Sequence, residues 1–85
     1  MKTKKQTPEL CTIWFDTQDP ANQGWAANVV VDGEHHSEPL PHRRRDVDFE
    51  TLLASLRREW RTSVVEIPRT GWTRRSDGNG WEWKA

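Results

Sequence analysis

Alternation of apolar and polar positions is the first regularity along this chain. In residues 10–16, LCTIWFD, Cys11, Ile13 and Phe15 fall on one face of an extended strand. Leu10, Thr12 and Trp14 fall on the other, and both faces are partly apolar, which suits a central strand. Residues 17–24, TQDPANQG, read as a turn or short loop. Residues 25–32, WAANVVVD, form a second strand with Trp25, Ala27, Val29 and Val31 on one face. The loop between them is long enough for an antiparallel hairpin. Gly33 ends the second strand. Residues 33–45, with Pro39 and Pro41, read as a loop.

The period then changes from 2 to 3.6. Phe49, Leu52, Leu53, Leu56 and Trp60 make one stripe of an amphipathic helix over 48–61. Asp48 suits the N-cap, which puts Val47 and Leu52 at the staple positions. Acidic residues gather at its start and Arg57, Arg58 and Arg61 at its end, matching the helix dipole. Residues 63–67, SVVEI, return to a strand with Val65 and Ile67 on one face. The last hairpin, 70–84, turns at Asp77-Gly78, a dipeptide suited to a type I′ turn. A two-residue loop there pairs residues whose numbers add to 155. Trp72, Arg74, Trp81 and Trp83 then share one face. The expected order is β-β-α-β-β-β, an α+β fold with a small antiparallel or mixed sheet and one helix on one face. Residues 1–9, polar and basic, read as a flexible tail, and 10–85 as a single domain.

Composition sharpens this picture. Apolar residues are only 33% of the 85, so the core is thin. Thirteen basic residues balance thirteen acidic ones, and six Trp supply large apolar surfaces, so the chain does not fall in the disordered class. Balanced charge excludes an acidic nucleic-acid mimic and a strongly basic nucleic-acid coat. Residues 1–40 are acidic by three charges and 41–85 basic by three. The lone cysteine, Cys11, forms no disulfide within the chain and points to a reducing compartment. No apolar run reaches the ~20 residues of a membrane span and none follows the N-terminus as in a secretory signal, so a cytoplasmic location is expected.

Candidate chemistry is sparse. Trp72, Trp81 and Trp83 with Arg74, Arg75 and Lys84 form a face of rings and guanidinium groups. It suits a protein partner, since Trp and Arg dominate interface hot spots. It also suits unpaired bases, which stack on such rings. The same rings read equally well as the core of a small domain. Arg43, Arg44 and Arg45, with Arg57, Arg58 and Arg61, form a second basic group able to grip carboxylates or phosphates, or a solvated helix end. His35, His36 and His42 lie near Asp32, Glu34 and Glu38, but adjacent histidines on extended chain diverge, and the spacing of a metal site is missing. Cys11 in an apolar alternation reads as a small buried hydrophobe. No nucleophile has an evident base, and no glycine-rich phosphate loop occurs.

The chain therefore reads as a non-enzymatic module without cofactors, binding a protein partner or a second copy of itself through an edge strand or the Trp/Arg face. The alternative is single-stranded RNA or DNA binding by the C-terminal hairpin. The candidate contact residues are Trp72, Arg74, Arg75, Trp81, Trp83, Arg43, Arg44 and Arg45.

Overall fold

A computed structural model describes residues 6–60 and 65–85. Five strands and one helix occur among them: β1 (Leu10–Asp16), β2 (Gly24–Val31), β3 (Glu34–Pro39), α1 (Phe49–Glu59), β4 (Thr73–Arg74) and β5 (Trp81–Lys84). The strands form one antiparallel sheet in the order β3-β2-β1-β5-β4. The α+β architecture is the expected one.

β1 sits in the middle, as its two apolar faces require. Cys11, Ile13 and Phe15 stand opposite Val29, Ala27 and Trp25 of β2 and build the core face. α1 covers that face with Leu52, Leu53 and Leu56, all buried. Asp48 is the N-cap, and its carboxylate accepts the Thr51 N–H at 3.2 Å. Val47 and Phe49 are half-buried against the same core.

Three expectations need correction. The first concerns 33–45, read as loop. Glu34–Pro39 is a strand paired with β2 from Val31↔Glu34 to Ala26↔Pro39. Asp32 and Gly33 both have positive φ, 52° and 78°, as a two-residue type I′ turn requires. β3 lies at the sheet edge, so its side chains are nearly all exposed and show no apolar alternation. An edge position also tolerates Pro39.

The second concerns 63–67. Ser63 and Val64 lie outside the described residues. Val65 makes only an isolated parallel bridge with Gln6, and Val65 and Ile67 are buried. The described part of the expected tail is thereby held: Pro8 is fully buried, and the Glu9 N–H reaches the Val30 carbonyl at 2.8 Å.

The third concerns the last turn. The register is as expected, Thr73↔Glu82 and Arg74↔Trp81, but Gly78 has positive φ and Asp77 does not. The loop spans four residues and closes with Gly78 N–H on the Arg75 carbonyl. Asn79 explains the change. Its side chain exchanges two hydrogen bonds with the Phe15 backbone, at 3.0 and 3.1 Å, and so extends the β1 ladder by one side-chain rung.

Candidate interaction surface

The predicted Trp/Arg face is the rim of the core. Trp81 and Trp83 stand opposite Ile13 and Cys11, so they face the helix. Ring contacts run from Phe15 to Trp25 (5.4 Å), Trp25 to Trp81 (5.8 Å), Trp81 to Phe49 (5.1 Å) and Phe49 to Trp72 (5.5 Å). Such pairs contribute ~0.5–1.5 kcal/mol each beyond their burial. Trp72 also donates its indole N–H to the Pro68 carbonyl, and the Trp83 ring lies against Gly71. These rings hold the last hairpin to the helix.

Arg43, Arg44 and Arg45 meet the hairpin arginines at one end of the sheet, whereas Arg57 and Arg58 stand apart in the last turn of α1 and Arg61 lies outside the described residues. Arg45 stacks over Phe15 at 4.6 Å and Arg74 over Trp81 at 4.8 Å. Arg43 lies beside Gly24 at the start of β2. Arg44 is bound by both carboxylate oxygens of Asp46, and Arg75 is paired with Asp77 at 3.5 Å. The segment is pinned from below, because the Trp25 indole N–H donates to the Arg44 carbonyl at 2.8 Å. Asp46 and Asp77 thus neutralise two of the five guanidinium groups.

The three histidines go to different places. His35 meets Asn28 at 3.2 Å on the sheet face away from the helix. His36 packs edge-on against Trp60 on the helix side. His42 is hydrogen-bonded to Ser55. Among the described residues no His, Cys, Asp and Glu group has metal-binding geometry. The His42–Ser55 pair corrects the expectation that no nucleophile has a base. Ser55 is buried in the helix face, 5% exposed, so its hydroxyl ties the 40–45 segment to α1 and is out of reach of a substrate. Cys11 is buried, and loss of hydration pushes its thiol up to about 12, which keeps it protonated and unreactive at neutral pH.

The surface that sequence reasoning missed is the free edge of β3. A two-residue turn makes Val31 and Glu34 a hydrogen-bonded pair, and antiparallel alternation repeats this at His36 and Glu38. The cross-strand bond from the Leu40 N–H to the Trp25 carbonyl, 2.9 Å, has the same parity. The N–H and C=O groups of His35 and Ser37 therefore point away from β2, and they have no backbone partner among the described residues. Ser37 and His35 side chains both bond Asn28, which holds the strand in place while its edge stays open. On the helix side a groove of about 540 Å³ runs along it, lined by His36, Glu38, Glu59 and Trp60. The Asp32-Gly33 dipeptide after a strand was the one sequence signal for this hairpin.

The chain matches no family model, no curated protein and no solved structure. No helix among the described residues is long and apolar enough to cross a membrane.

Proposed function

We infer that this protein is a small non-catalytic module of the cytoplasm that binds a protein partner by strand addition at β3. The observation that carries this reading is the edge at His35 and Ser37, unpaired among the described residues, on a strand whose other side is fully bonded to β2. Backbone groups aimed into solvent along one line supply affinity for an extended segment, and neighbouring side chains supply selectivity. The opposite edge is a poorer template, since β4 is two residues long. The lone buried Cys11 supports a reducing compartment. Stacking of unpaired bases on Trp72 and Trp81 of the C-terminal hairpin would compete with Phe49, Trp25 and Arg74, which already contact those rings.

Ser37→Pro tests this. It removes one outward N–H and leaves the β2 ladder intact, as proline permits on an edge. Immobilised wild-type protein and Ser37→Ala, which keeps the N–H, should retain the same binding protein from a cell extract. Ser37→Pro should lose it while keeping its thermal melting within a few degrees. Retention of the same protein by Ser37→Pro contradicts the reading.

A further inference from the structure

We propose that the strand β3 accepts is basic: an extended protein segment with Lys or Arg at alternate positions. This rests on β3 being the docking edge.

Glu34, His36 and Glu38 stand opposite Val31, Val29 and Ala27, so all three lie on the helix side of the sheet. A strand added outside β3 places every second side chain beside them, over the groove that Glu59 and Trp60 complete. Three carboxylates face that position. Among the described residues the one basic group there is His36, 3.7 Å from Glu34 and 46% exposed. Arg57 and Arg58 line a separate hollow with Glu66 that shares only Trp60 with the groove. A Lys or Arg entering the groove meets carboxylates and the Trp60 ring, a cation–π partner. On the other face the added strand meets only His35 and Ser37, whose side chains are engaged with Asn28, so small polar or apolar residues fit between the basic ones.

The same carboxylates disfavour a second copy of this chain. Pairing two β3 strands antiparallel in full overlap sets Glu34 of each against Glu38 of the other, and like charges directly opposite are destabilising. Sliding by one pair in one direction brings in Pro39, which has no N–H. Sliding the other way brings in Gly33, which is in the turn with φ 78°.

The test uses the full chain labelled with nitrogen-15 and three capped eight-residue peptides that alternate Lys-Val, Thr-Val or Glu-Val. The Lys-Val peptide should move the amide peaks of His35 and Ser37 far more than those of Glu34, His36 and Glu38, and should move the Trp60 indole peak. It should bind about tenfold tighter than Thr-Val, at roughly two- to fivefold for each exposed carboxylate, and the margin should shrink with salt. Glu38→Lys with Glu59→Lys should shift the preference to Glu-Val. If Thr-Val binds as tightly as Lys-Val at the same amides, the charge inference fails and the edge reading stands. If none of the three moves His35 and Ser37, the edge reading fails as well.

Discussion

Asn79 and Gly80 do more for the sheet than their neighbours in the turn. Asn79 gives Phe15 both an acceptor and a donor, so a side chain closes a ladder that the backbone leaves short. Asn79→Ala leaves the Phe15 N–H and C=O without these partners and should cost ~1–3 kcal/mol in denaturant unfolding, at ~0.5–1.5 per bond. Gly80 has φ 101°, and a Cβ built there would lie 1.8 Å from the Ile13 carbonyl oxygen. Backbone, unlike a flexible side-chain end, has no easy way to yield. Gly80→Ala should therefore destabilise by at least ~3 kcal/mol, with loss of the β1–β5 ladder visible in amide exchange. An alanine variant that melts like wild type would mean that β5 does not approach β1 as described.

The elements differ in how far their residues announce them. β1, β2 and α1 were legible because each buries a face, so burial writes a period into the sequence: Cys11, Ile13 and Phe15 at period 2, Leu52 and Leu56 at the helical period. β3 buries neither face and carries no such period, and only its Asp32-Gly33 turn marks it. The turn at 76–79 was misjudged because Asn79 acts on a residue 64 positions away, which no local rule contains. The same limit applied to the site. The rings and arginines were identifiable as residue types, but whether Trp81 faces solvent or helix depends on its pairing with Ile13. At α1 the capping carboxylate of Asp48 is held below its ordinary 3.8 by hydrogen bonds from Thr51. A depressed carboxylate adds stability that is present above its unfolded pKa and lost as pH falls through the folded one. Helix signal at a fixed partial-denaturation temperature should thus decline in acid below about pH 4. Asp48→Asn caps comparably without a charge and should decline less over that range. Asp19, lowered by Asn22 and Ala21, contributes in the same window in both proteins, so the difference between them isolates Asp48. Identical acid profiles would mean that ionisation of Asp48 adds nothing to the helix's stability.

At the scale of the whole molecule, the sheet is closed on one face by α1, short at β4 and open at β3. The aromatic chain from Phe15 to Trp72 makes up for the scarcity of aliphatic residues, and that use of Trp leaves the expected ring platform half-buried against the core. Two charged regions remain at different places: guanidinium groups at the end where β5 begins, and carboxylates along β3. The carboxylates disfavour pairing of two β3 edges, so on this proposal the protein should be monomeric by light scattering at millimolar concentration. The most direct test of the open edge is residue-by-residue hydrogen exchange in the free protein and in the presence of the Lys-Val peptide. In the free protein His35 and Ser37 should exchange fast between slow neighbours Glu34, His36 and Glu38, and both should slow on binding. Slow exchange at His35 and Ser37 before any peptide is added, or rates there that saturating peptide leaves unchanged, would contradict strand addition at β3.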